Sequence, residues 1–141
     1  MVFRKDEIKD TIAIVPVSSR QVVLIVEDDH HLRRMFRTAL SIEGFAVEEA
    51  EDGAGALQRI HEDPPALIVL DLSLPTVSGL FVYEEISAHA HTRQIPVVIV
   101  TGSTMNLDDL DVRCVLRKPV DPSKLVSVVR ECFQAGSGIV S

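Results

Sequence analysis

Ala66-Leu67-Ile68-Val69-Leu70-Asp71 is an unbroken apolar run that ends on a single carboxylate. An apolar run without alternation fits a strand covered on both faces, the pattern of a parallel sheet. Three further runs repeat it. Val22 to Val26 closes on Glu27 and Asp28, Pro96 to Val100 ends in Thr101, and Val112 to Leu116 leads into Lys118-Pro119. A charge placed where such a strand leaves the core is expected to be cheaply solvated and ready to react.

The stretches between these runs have helical period. Leu32, Met35, Phe36, Ala39 and Leu40 form one face of a helix predicted over about Asp29 to Glu43, stopped by Gly44. A weaker strand, Ala46 to Ala50, follows. A short helix over Ala54 to His61 turns Leu57 and Ile60 inward and is closed by Asp63-Pro64-Pro65. A third, about Gly79 to Ala88, carries Leu80, Tyr83 and Ile86. The last, about Pro122 to Gln134, has Asp121 as N-cap, Pro122 in its first turn and a stripe of Leu125, Val128, Val129 and Cys132. Strand–helix alternation with fully apolar strands predicts a parallel sheet with helices on both faces. Open sheets of this kind place their sites at the carboxyl edge. Glu27, Asp28, Asp71, Thr101 and Lys118 should therefore converge.

The chain's 141 residues, 46% hydrophobic, suit one domain with a single core. A net charge of −7 and a pI near 5.1 argue against direct binding to nucleic acid, which needs a basic footprint. Cys114 and Cys132 read as small core residues, as expected in a reducing cytoplasm. No apolar stretch approaches the roughly 20 residues that span a bilayer, and the N-terminus lacks a signal-peptide pattern. The five histidines have no acid or cysteine partners at metal-binding spacing and read as surface residues.

Carboxylates gathered at one edge repel each other, and a hard divalent cation with oxygen ligands is the simplest remedy. Magnesium is the natural candidate, held by Asp28 and Asp71 directly and by Glu27 directly or through water. Asp29 is left as a cap of the following helix or a solvated residue. These residues support phosphoryl transfer, which depends on positioning and on neutralising charge on the transferred oxygens.

In VVLIVEDD, in VLDLSLP with Gly79 eight residues after Asp71, in VIVTG and in RKPVDP, the chain resembles the response-regulator receiver domain of two-component signalling, of the chemotaxis-regulator kind. The resemblance covers roughly residues 21 to 135, leaving 1 to 20 as an N-terminal extension and 136 to 141 as a tail. It implies a flavodoxin-like doubly wound five-stranded parallel sheet of order 2-1-3-4-5. It also implies that Asp71 is the phosphoacceptor, that Glu27 and Asp28 hold Mg²⁺ with the backbone carbonyl of Ser73, and that Thr101 and Lys118 contact the phosphoryl group. Lys118-Pro119 matches a cis peptide of the family. The expected donor is a histidine kinase or a histidine phosphotransfer protein. The product is a signalling phosphoprotein that aids its own phosphorylation and slow dephosphorylation, not an enzyme in the usual sense. Cytoplasmic location, no nucleic-acid contact of its own, no membrane insertion and a possible homodimer complete the expectation.

The chain departs from the family in two places. The segment from Gly102 to Val112 is too short for a full helix and its connections, so the fourth helix is expected to be shortened or missing. The aromatic residue that the family commonly places on its last strand is absent from Val112 to Arg117. Conformational signalling is therefore expected in Ser103 to Asp111 and along the last helix. The other readings are a receiver cut from a larger hybrid kinase or transcription factor, a pseudo-receiver that only binds, and a haloacid-dehalogenase-like phosphohydrolase. Ser73 argues against the last, which needs a second aspartate there.

Overall fold

In the computed structural model of the chain, the described residues are 22–102, 107 and 114–137. The elements in order are β1 (Val22–Val26), α1 (His30–Ile42), β2 (Ala46–Ala50), α2 (Gly53–Glu62), β3 (Leu67–Asp71), α3 (Gly79–Ala88), β4 (Val97–Thr101), β5 (Cys114–Arg117) and α4 (Pro122–Ser137). All pairings are parallel, and the strands lie in the order β2-β1-β3-β4-β5. This is the doubly wound sheet expected from the sequence. The segment between β4 and β5 carries no helix among the described residues. Apart from Gly102 and Leu107 it lies outside them, as do residues 1–21, so the expectations for the N-terminal extension and for signalling through Ser103 to Asp111 fall there too.

Three of the four apolar runs became the central strands. Every residue of β1, β3 and β4 is buried. Side chains alternate across a pleated sheet, so these strands feed two cores. On one face Val23, Ile25, Val69, Val98 and Val100 meet Phe36 and Leu40 of α1 and Leu125, Val129 and Cys132 of α4. On the other, Leu24, Ile68, Leu70 and Ile99 meet Ala56 and Ile60 of α2 and Val82 and Ile86 of α3. Each fully buried branched side chain contributes about 1.5–3 kcal/mol by area removed from water. Val82, not Leu80 or Tyr83, is the main inward contact of α3 beside Ile86; the latter two are only partly covered.

The edge strand β2 is only partly buried, and its charges follow the same alternation. Glu49 faces α1 and pairs with Arg33 at 3.0 Å and with Arg37. Glu48 pairs with Arg59 of α2. Charged side chains on an exposed edge discourage pairing with another strand.

Helix ends are closed by their own side chains. Asp29, Asp52 and Ser78 accept from the backbone N–H groups of Leu32, Gly55 and Phe81 at the starts of α1, α2 and α3. At the start of α4, Asp121 accepts from the N–H of Ser123 at 2.8 Å. Each cap is worth roughly 0.5–2 kcal/mol.

Gly79 is required where α3 begins. A Cβ there would stand 2.1 Å from the Asp71 carbonyl oxygen and 2.5 Å from Leu72 Cα. Both are backbone atoms that cannot swing away, and the Gly79 N–H donates to Leu72 O at 3.2 Å. Helix propensity favours alanine over glycine by up to about 1 kcal/mol, yet the clash decides the sign. Gly79→Ala should lower stability by about 1–3 kcal/mol, the usual cost of overpacking, read as a fall in the urea midpoint. An unchanged or raised midpoint would show that α3 is free to move away from β3.

Candidate functional site

The register of the sheet assembles the site. Val26 pairs with Leu70, so Glu27 follows β1 at the level of Asp71, the last residue of β3. Asp71 pairs with Val100, placing Thr101 one residue further along β4, and Thr101 pairs with Arg117. Lys118 comes next, its N–H donating to Thr101 O at 2.8 Å. Four parallel strands thus deliver their ends, two acids from β1 and one side chain from each of the others, to a single edge.

Lys118 Nζ stands 3.2 Å from Asp71 Oδ2 and 3.4 Å from Glu27 Oε1. The other Asp71 oxygen, Oδ1, accepts from the N–H of Ser73 at 2.9 Å. Glu27 Oε2 accepts from the N–H of Asp29 at 3.2 Å. Glu27, Asp28 and Asp71 each offer an oxygen within 4.8 Å of the others. The Lys118–Pro119 peptide is cis. Of the residues expected at the site, Glu27, Asp28, Asp71, Thr101 and Lys118 are together at this edge, and Ser73 reaches it through its N–H.

One expectation is corrected. Glu27 and Asp71 are both 1% exposed, and Thr101 is fully buried; only Asp28 of the acids opens to solvent. At these strand ends Lys118 reaches across to both Glu27 and Asp71. Arg33, which the sequence did not single out, holds the turn after β1 through its Nη1, which donates to the Glu27 carbonyl at 2.8 Å. Gly53 was likewise missed: a Cβ there would come within 2.6 Å of Val77 O, so α2 abuts the loop that leads from Asp71.

Burial determines the electrostatics. The carboxyl group of Glu27 is pushed up to about 7, first by desolvation, then by the hydrogen bond and charge of Asp71, against an opposing contribution from Lys118. For Lys118, burial acts to lower its pKa, but the charges of Asp71 and Glu27 outweigh it and leave the ammonium above its ordinary value. Two acids face one base. Glu27 Oε1 is buried with no geometrically well-formed hydrogen-bond partner, Lys118 approaching it at 3.4 Å. A buried oxygen lacking a well-formed hydrogen bond, beside two more carboxylates, is the donor set that a hard divalent cation satisfies.

The chain matches the family model for the response regulator receiver domain over residues 23–130. It is 30% identical over 113 residues to the polar-differentiation response regulator DivK of Brucella ovis, covering 77% of this chain and 92% of that protein. It is 35% identical over 118 residues to the phosphate regulon transcriptional regulatory protein PhoB of Klebsiella pneumoniae, covering 77% of this chain but 49% of PhoB. The chain thus spans about half the length of that relative. Among solved structures, the CheY-like response regulator receiver domain protein of Methanospirillum hungatei JF-1 superposes with a TM-score of 0.77 at 25% identity, covering 84% of this chain and 98% of that one. A doubly wound parallel sheet with an acid cluster and a lysine at its carboxyl edge defines the class. The chain belongs to the response regulator receiver family.

The raised pKa of Glu27 gives a pH dependence. In the unfolded chain a glutamate loses its proton near 4.5, whereas folded Glu27 holds it to about 7. The folded state binds the extra proton between those values, so the stability that Glu27 contributes is fully present below the unfolded pKa and is lost as pH rises through the folded one. In buffer containing a chelator, denaturant midpoints should fall between about pH 4.5 and pH 7, and Glu27→Gln should flatten that fall. A wild-type profile that coincides with that of Glu27→Gln across this range would show that the carboxyl group titrates normally.

Proposed function

We propose that the protein is a phosphoacceptor in two-component signalling, with Asp71 taking the phosphoryl group from a phosphohistidine of a histidine kinase or phosphotransfer protein. The observation that carries this reading is the convergence of Asp71 with Glu27, Asp28 and Lys118 at one sheet edge. A carboxylate oxygen of Asp71 forms the new O–P bond as the P–N bond of the donor breaks, and the electron pair leaves with the imidazole nitrogen. The result is an acyl phosphate on Asp71.

Glu27, Asp28 and Asp71 would hold Mg²⁺, with the Ser73 carbonyl as a further oxygen ligand. When bound, the ion supplies positive charge against the acids and the transferring oxygens. The remaining work belongs to the protein. Lys118 sits between Glu27 and Asp71 and can move its ammonium from Asp71 Oδ2 to a phosphoryl oxygen without leaving the site. The Ser73 N–H holds Oδ1 and fixes the carboxylate plane. Thr101, one residue beyond the partner of Asp71, supplies a hydroxyl to the phosphorylated form. Phosphorylation then changes affinity for a protein partner. A cytoplasmic location accords with this role, and no described helix is long and apolar enough to cross a membrane.

A second reading places the chain as the receiver portion of a longer transcriptional regulator. The half-length match to PhoB favours it. It changes the output and leaves the chemistry at Asp71 unaltered.

Incubation with acetyl phosphate and Mg²⁺ should add one acid-labile phosphoryl group, detected by intact mass, and a chelator should prevent it. Asp71→Asn should abolish the label while retaining the wild-type circular dichroism spectrum. Asp28→Asn should raise the Mg²⁺ concentration needed by about tenfold or more, as expected when metal affinity is impaired. Full acid-labile labelling of folded Asp71→Asn would sink the assignment, and absence of label on the wild type would favour a receiver that only binds.

A further inference from the structure

We propose that His61, His89 and His91 form a second metal site, for a single divalent transition-metal ion of the zinc class, on the face opposite α1 and α4. His61 lies in the last turn of α2, His89 is the C-cap of α3 and His91 is in the connection to β4. Residues remote in sequence meet because α2 and α3 pack side by side.

The three rings stand at the spacing of a bound set, with two of their nitrogens sharing a hydrogen bond. His61 Nδ1 and His91 Nε2 are 3.0 Å apart. Two nitrogens at about 2.05 Å from one tetrahedral zinc ion stand about 3.3 Å apart, and the ring centroids behind them about 5.2 Å. The observed centroid separations are 5.1 Å for His61–His91, 5.3 Å for His61–His89 and 5.9 Å for His89–His91. His89 Nδ1 is 2.8 Å from the Glu85 carbonyl oxygen. That contact requires a proton on Nδ1 and leaves Nε2 with its lone pair, the arrangement seen when a histidine ligand is oriented by a backbone carbonyl.

The trio is not fully converged. Among the described residues, the group whose ligand atoms already lie within 4.8 Å of one another is the acid cluster around Asp71. Closing the set requires the exposed rings of His61 and His91 to turn toward Nε2 of His89, whose Nδ1 keeps its hydrogen bond to the Glu85 carbonyl. The backbone beneath is fixed: Thr92 is fully buried, its hydroxyl donates to Ile86 O at 2.7 Å, and the N–H groups of Thr92 and Arg93 both donate to His89 O. Three imidazoles suit zinc, nickel or copper and not magnesium, which prefers oxygen. The two sites therefore select different ions, with water completing the fourth position here. A bound ion would tie the end of α2 to the start of the β4 connection.

Zinc binding to the full chain by equilibrium dialysis, in excess magnesium chloride, tests this. One equivalent should bind at micromolar free zinc, and the Cε1–H proton resonances of three histidines should shift together. His61→Gln and His91→Gln should each weaken binding by at least about tenfold, whereas Asp28→Asn should leave the zinc stoichiometry at one. Zinc bound equally well by folded His61→Gln and His91→Gln, zinc lost in Asp28→Asn instead, or no zinc bound by the wild type at micromolar concentration would each overturn the assignment.

Discussion

Two carboxylates, Glu27 and Asp71, are taken out of water beside a single ammonium, Lys118. Removing an ion from water costs several kcal/mol even after relaxation, and one cation cannot fully offset two anions. Most features of the site follow from that deficit. Glu27 keeps a proton up to about pH 7, Lys118 holds its own more tightly than a free lysine, and Glu27 Oε1 is left without a well-formed hydrogen bond. The folded protein thus carries an unmet demand for positive charge at one point.

The sheet creates this demand and also contains it. Parallel register places the four strand ends level, and helices on both faces exclude water from everything behind them. The backbone near Asp71 is then packed on every side. Gly79 allows α3 to begin against the Asp71 carbonyl, and Gly53 lets α2 press against the loop at Val77. Arg33 holds the carbonyl of Glu27 from the α1 side. The Asp71 carboxylate is thereby held in one orientation, the kind of preorganisation from which reactive sites gain most of their advantage.

The fold was legible in the sequence because its central strands are apolar on both faces. Continuous runs such as Val22 to Val26 fit few environments other than a covered parallel sheet, and the helices between them were marked by Asp29, Gly44, Asp121 and Pro122. The identities of the acids, Thr101 and Lys118 were legible for the same reason: each follows a run. Their burial was not. A carboxylate at a strand end looks solvated until the side chain that meets it is placed, and Lys118 comes from the end of a strand, 47 positions beyond Asp71. The inward role of Val82 was obscured because α3 is apolar nearly all round, so periodicity alone did not choose its face. The histidine trio depends on contacts 28 to 30 positions apart, between His61 and the pair His89 and His91, and no local spacing announces such a meeting.

The charge deficit also bears on how the proposed phosphorylation would be felt. A phosphoryl group adds roughly −1.5 to −2 charges at a point already short of cations, so the groups around Asp71 must rearrange and not merely tolerate it. Lys118 is the side chain that bridges both acids, and its backbone is bonded to Thr101 at the end of β4. Four residues later α4 begins, and it packs against α1 through the core around Phe36 and Leu125, with Arg130 paired to Glu43. A shift of Lys118 would therefore act at the root of the last helix. Such a path would not involve an aromatic on β5, which reads Cys114-Val115-Leu116-Arg117.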